Sequence, residues 1–254
     1  MTESTSRLSR TEFFDRIGNF KGWPSDQTKW STEQTRQAQR ILDDAYSRVI
    51  LAEVPNVEGG SSIAHQWSFL TSEATITTVS GQNYNDLPDD FEEEIGRSVL
   101  YGASQPYLRA ILIDQAQLRE KRQRFISNSY PMFACILPVS PTSSRGQRWR
   151  IHWCPTPDAA YTLYLPYRIQ VNALSASNPY PLGGTKLGIL IRQACLAEAD
   201  GEGGQESAKY LRMLQAAIAA DQRKQKHFHI GGPEGGIINH LTEACYQESS
   251  WDRW

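Results

Sequence analysis

Between residues 35 and 50 apolar side chains return every three or four positions, at Ala38, Ile41, Leu42, Ala45, Tyr46, Val49 and Ile50. This spacing puts them on one face of a helix. Ser31 or Thr32 can cap its start, because a side-chain oxygen there accepts a first-turn N–H, and the helix must end before Pro55. The first thirty or so residues are mixed and polar, and RTEFFDRIGNF and GWPSDQTKW read as short anchoring turns.

From Trp67 to about Val171 the period changes to two. Trp149, Ile151 and Trp153 point one way, while Arg150 and His152 point the other. Tyr161, Leu163, Leu165, Tyr167, Ile169 and Val171 alternate with Thr162, Tyr164, Pro166, Arg168 and Gln170. Pro166 places this strand at an edge or a bulge. TPDAA between the two segments has hairpin-turn chemistry. Weaker strands are expected at Trp67–Leu70, Ala74–Val79, Leu108–Leu118 and Met132–Leu137, with a helical turn at FEEEIG after Pro88.

The helical period then returns, with Leu187, Leu190, Ile191, Ala194 and Cys195 on one face and Tyr210, Leu211, Leu214, Ala217 and Ile218 on another. ADGEGG separates the two runs as a loop. Beyond Lys226, Gly231, Gly232, Pro233, Gly235 and Gly236 exclude a continuous helix, yet Ile237, Ile238, Leu241, Trp251 and Trp254 still follow. These last residues read as an arm that docks on another chain.

The expected fold class is therefore α+β. N- and C-terminal segments form a helical bundle, an antiparallel β domain is inserted between them, and an extended C-terminal arm follows. The boundaries read as 1–64, 65–180, 181–226 and 227–254.

Charge narrows the function. The 254 residues hold 26 Lys and Arg against 28 Asp and Glu, a net of -2, which excludes a protein built mainly to neutralise DNA phosphates. No apolar run approaches the roughly 20 residues that span a bilayer. MTESTSRLSRTEFF lacks a secretory apolar stretch, so the expectation is a chain that is neither secreted nor membrane-bound. Cys135, Cys154, Cys195 and Cys245 form no CxxC pair, and reduced thiols are expected.

Catalytic chemistry finds little support. No GxSxG, P-loop, GxGxxG or HExxH motif occurs. His227, His229 and His240 lack a carboxylate or thiol at ligand spacing, and His152 with Cys154 makes only two ligands. The run Asp89, Asp90, Glu92, Glu93, Glu94 could hold a hard cation, but it reads better as a solvated helix start. Arg119, Lys121, Arg122 and Arg124 form a basic run, a candidate contact to DNA or to a neighbouring subunit. No catalytic, metal or cofactor site is expected, and the alternating aromatics read as sheet core.

Ala64-His65-Gln66-Trp67-Ser68-Phe69-Leu70, the Thr-rich ATITTVSG and Tyr84-Asn85-Asp86-Leu87-Pro88-Asp89-Asp90-Phe91 follow one another in an order that resembles the opening of head-tail adaptor (connector) proteins of tailed bacteriophages. Arg148-Trp149-Arg150-Ile151, then Pro155-Thr156-Pro157-Asp158-Ala159-Ala160-Tyr161-Thr162-Leu163 and Tyr167-Arg168, resemble a later hairpin of the same proteins. The helices before Trp67 and around Tyr210-Leu211-Arg212-Met213-Leu214 also fall where that family has them. The resemblance spans about residues 30–225. Cys154 departs from the more usual aromatic or aliphatic residue, and the glycine-rich arm is longer than a minimal adaptor needs.

The resemblance implies a structural protein without catalysis: a ring, usually of twelve copies, bound beneath the portal in the virion neck. It would extend the channel through which genomic DNA passes without specific binding, and present a platform to a tail or nozzle protein. Ile237, Ile238, Leu241, Trp251 and Trp254 would then contact the portal or the next subunit, and Arg119, Lys121, Arg122 and Arg124 the channel or a subunit. Another neck ring, such as a stopper or tail terminator, is the near alternative. A nucleic-acid- or carbohydrate-binding β module is the distant one.

Overall fold

Ser31 opens the longest helix of the N-terminal part by a reciprocal pair of hydrogen bonds. Its Oγ accepts from the Gln34 N–H at 3.1 Å, and the Gln34 side chain accepts from the Ser31 N–H at 2.8 Å. The helix, α2 (Thr32–Leu51), buries Ala38, Leu42, Ala45, Tyr46 and Val49, the face anticipated from the period. The computed structural model describes residues 8–54, 63–139, 146–201 and 204–228.

Before it lies a second helix where only turns were expected, α1 (Arg10–Lys21). The Glu12 carboxylate accepts the Ser9 N–H at 2.6 Å, and Phe13, Phe14 and Ile17 are buried. Gly18 lets the Trp30 ring lie against the helix backbone. Gly22 ends α1 at φ 71°, a left-handed conformation that glycine adopts without a Cβ clash.

Two further helices, α4 (Gly184–Asp200) and α5 (Gln205–Phe228), flank the glycine loop as anticipated. Helix α4 packs against α1, α2 and α5, and so it is apolar around most of its circumference. Helix α5 continues through His227 and Phe228, two residues assigned above to the arm, and the rest of the arm lies outside the described residues. Two short strands, β1 (Glu53–Val54) and β2 (Ile63–Ala64), pair with each other after α2.

The chain divides into two compact units, Met1–Phe69 with Ala173–Trp254, and Leu70–Asn172. The second unit is an eight-stranded sheet and one helix. Its strands are β3 (Thr71–Thr77), β4 (Tyr84–Asp86), β5 (Phe91–Glu94), β6 (Ser98–Tyr101), β7 (Arg109–Leu112), β8 (Phe133–Val139), β9 (Arg148–Cys154) and β10 (Thr162–Ile169). They run in the order β3-β10-β6-β7-β8-β9-β4, and β5 also pairs with β10. Helix α3 (Gln115–Arg124) lies between β7 and β8 in sequence.

Several expectations are corrected. The sheet is mixed and not purely antiparallel, because β7 and β8 pair in parallel, joined by α3 as a crossover. Residues Leu108–Leu118 are not one strand: Asp114 caps α3 by accepting the Gln117 N–H at 2.8 Å, which stops the strand at Leu112. FEEE is strand β5, drawn into extension by pairing with β10. Ser68–Leu70 is a 3-10 turn. TPDAA joins β9 to β10, but these strands lie apart in the sheet and form no hairpin.

Pro166 sits in a central strand. Its carbonyl accepts the Ile95 N–H at 2.9 Å, so its nitrogen, which points to the same side, also faces away from β3. On that side β6 covers residues 163–164 and β5 covers 167–169, and the missing donor falls in the gap between them. The inner face of the sheet buries Ile76, Val99, Ala110, Ile151, Trp153, Leu163 and Leu165. The aromatics at period two are core, as expected.

Candidate interaction site

The basic run lies on α3 and not at a strand end, and its four cations have different surroundings. Arg122 donates to the carbonyls of Asn83 and Trp153 at 3.4 and 3.2 Å, which ties the helix to the loop before β4 and to β9. Lys121 lies 5.1 Å from the Phe133 ring centroid. Arg124 pairs with Glu120 at 2.6 Å, and Arg119 is exposed. Only Arg119 and Arg124 therefore project fully into solvent. The arm residues Ile237, Ile238, Leu241, Trp251 and Trp254 lie outside the described residues.

The acidic run is used in cross-strand pairing. Asp89 pairs with Arg148, Glu93 with Arg168 at 3.1 Å, and Asp90 accepts from the Tyr167 hydroxyl at 3.0 Å. No group of three or more His, Cys, Asp or Glu among the described residues could hold a metal ion. Burial pushes the Cys135 and Cys154 thiols up, which keeps both protonated and unreactive. Burial, then Arg122 and Arg150, push His152 below its ordinary value, and its Nδ1 has no hydrogen-bond partner among the described residues.

What the sequence did not announce is an apolar corner on the outer side of the sheet. Helix α3 covers part of that side, where Leu118 packs on Cys135 and Cys154 with Phe133 against them. Among the described residues no helix covers the neighbouring strands β6 and β7 in this way. Leu100 is 48% exposed, Ile111 41%, Phe125 37%, and Leu108 and Ile126 86% each. Register joins three of them: Leu100 opposes Arg109, Ile111 opposes Phe133 across the parallel pair, and Phe133 lies 6.0 Å from Phe125, while Leu108 and Ile126 are the chain neighbours of Arg109 and Phe125. Between residues 98 and 112 the only charged side chain is Arg109.

The loops at this end of the sheet are firmly joined. Tyr107 stacks on Tyr130 at 3.7 Å, the Tyr101 hydroxyl donates to Pro131 O at 2.7 Å, and Ser129 N donates to Thr156 O at 2.9 Å. The segments that carry Leu108 and Ile126 therefore run beside fixed tyrosine contacts. Such a surface, apolar, aromatic and poor in charge, has the composition of a protein-contact face. The one signal in the sequence was the polar Asp114, which caps α3 and so ends β7 before it.

A family model described as SU10 adaptor protein matches residues 16–232, a span that takes in the sheet and most of the helices. No curated protein matches the chain.

Proposed function

The chain belongs to the SU10 adaptor family of phage proteins, and on that premise we propose that it is a head-to-tail adaptor that forms a closed ring beneath the portal. The ring, of twelve copies, lengthens the channel for the genome and offers the tail or nozzle protein its seat in the virion neck. The match across residues 16–232 carries this reading, because it takes in the whole sheet and all the helices but the first half of α1. The chemistry supports a structural role: Glu93 of β5 and the preceding Asp89 are engaged in ion pairs, and the described cysteines are buried.

Charge supports passage of DNA without retention. A net of -2 avoids the strong, salt-sensitive attraction of a basic lining. Arg119 and Arg124 could give weak contacts if α3 faces the channel, and Ile237, Ile238, Leu241, Trp251 and Trp254 supply the contacts to another chain. A heterologous ring needs two different faces per copy, and closes only when the rotation per copy is right.

Native mass measurement of the full chain mixed with its portal protein tests the reading. A closed complex of one fixed stoichiometry is expected. A chain that stays monomeric and leaves the portal unbound would overturn it.

A further inference from the structure

We propose that the apolar corner formed by Leu100, Leu108, Ile111, Phe125 and Ile126 receives the C-terminal segment, residues 229–254, of a second copy of this chain. The inference rests on the adaptor reading and names the surface on which its terminal segment docks.

Three observations select this occupant. The first is the corner's exposure, since Leu100, Ile111 and Phe125 meet solvent around Phe133, the chain neighbours Leu108 and Ile126 are 86% exposed, and the strands beneath are fully buried at Val99 and Ala110. Monomeric proteins seldom leave such a patch uncovered. The second is the sign of the surrounding charge. Arg109 stands between Leu100 and Ile111 and makes no ion pair among the described residues, Lys121 lies over Phe133, and α3 keeps a net positive charge although Arg124 pairs with Glu120 and Arg122 is held by backbone carbonyls. An occupant must therefore bring apolar anchors with acidic neighbours.

The third is the composition of the segment itself. Residues 229–254 hold Ile237, Ile238, Leu241, Trp251 and Trp254 together with Glu234, Glu243, Glu248 and Asp252, against Arg253 as the only Lys or Arg. Apolar anchors and a net negative charge are what the corner lacks and its cations attract. A nucleic acid would meet the cations but would leave five apolar side chains in water, so it fits less well. A docking of copy n on copy n+1 is heterologous, the kind of contact that propagates around a ring.

The segment also carries Cys245, which allows a direct test in the full chain assembled on its portal. Leu108→Cys, or Ile126→Cys as an independent second variant, places a thiol on the corner at a position too exposed to affect folding. Leu51→Cys provides an exposed thiol outside it. Under mild oxidation with diamide, the corner variants are expected to cross-link to Cys245 at least about tenfold faster than the control, from the raised local concentration. Added Arg109→Glu or high salt should slow the reaction, and Cys245→Ser should abolish it.

When isotope-labelled and unlabelled copies are mixed, cross-linked peptides should combine both labels. Equal rates for Leu108→Cys and Leu51→Cys, or cross-links confined to one label, would overturn the proposal. Ring formation on the portal is scored in the same samples. Rings without the cross-link sink this inference alone, and absence of rings in the unsubstituted protein sinks the adaptor reading.

Discussion

Asp221 on α5 accepts the Ser68 hydroxyl at 2.5 Å and the Ser68 N–H at 2.9 Å, while His65 Nε2 lies 3.1 Å from the same carboxylate. The His65 and Asp221 side chains are nearly enclosed, and Ser68 is half-buried. One buried acid thus fixes the segment through which the chain leaves the helices for β3. Asp221→Ala would leave the Ser68 N–H without its acceptor. The expected loss is about 2–4 kcal/mol, read from the urea midpoint. An unchanged midpoint would show that water replaces the carboxylate at no cost.

The pH dependence of stability follows from two groups with opposite charge. Burial pushes the Asp221 carboxyl up, but the Ser68 hydroxyl and N–H and His65 outweigh it and hold it below the ordinary carboxylate range. Its stabilisation is therefore present above the unfolded value of about 4 and is lost as pH falls through the lower folded value. His152 is also depressed, by burial and then by Arg122 and Arg150, but here the neutral form is the one favoured by folding. Its contribution is complete above about 6.5 and declines as acidification protonates the unfolded chain first. His152→Gln should flatten the stability profile as pH falls below about 6.5, and Asp221→Asn the part below about 4. Equal slopes in all three proteins would refute the assignment.

Helix α2 and strand β10 were legible in the chain because each exposes one face and buries the other, so a single period records its environment. Helix α3 was not: Leu118 is its one buried residue, and four cations in ten positions leave no apolar stripe to detect. Strand β5 buries Phe91 alone, and three consecutive glutamates are extended because Arg168 and its neighbours on β10 hold them there. Pairing partners distant in sequence decide both cases. The same reason hid the apolar corner, since Leu100 and Ile111 become neighbours only through the β6–β7 register. Helix α1 was the avoidable omission, because Ser9 and Glu12 have the spacing of a capping box.

Gly18→Ala offers a test in which two effects oppose each other. Alanine favours the helix by about 1 kcal/mol over glycine. Its Cβ would collide with the Trp30 ring, which packs on Phe14 and Trp23 and donates its indole N–H to Pro24 O at 2.7 Å. Displacing an aromatic fixed on three sides costs about 1–3 kcal/mol, so the net expectation is destabilisation with altered Trp fluorescence. A rise in melting temperature would mean that the ring moves freely.

Cys135, Cys154 and Cys195 are all buried, and burial raises each thiol. Alkylation of the native protein at pH 8 should leave these three unmodified, and denaturant should release all of them together. Rapid native labelling of Cys135 would indicate that α3 detaches from the sheet.

Strands β3 and β4 stand at opposite ends of the strand order, yet Asn85 joins them: its Nδ2 donates to Thr77 O at 3.0 Å, and its Oδ1 accepts from Trp153 Nε1 at 2.7 Å. The sheet is curled until its edges meet across a single side chain, beside an open cleft of about 510 Å³ lined by Glu73–Thr77, Asn85–Pro88 and Tyr167. Asn85→Asp separates the two bonds. The carboxylate can still accept from Trp153 but can no longer donate to Thr77, whose carbonyl it would repel. Strand β4 has three residues and is otherwise held from the β9 side, by its ladder and by Arg150 paired with Asp86 at 2.7 Å, so Asn85 is its tie to β3. Amide exchange at residues 84–87 should accelerate by about tenfold or more while β8 and the central part of β9 keep their protection. Asn85→Ala, which also leaves the buried indole N–H unpaired, should lower global stability by about 1–3 kcal/mol. If Asn85→Asp exchanged like the parent, closure of the sheet would depend on the strands themselves and not on this side chain.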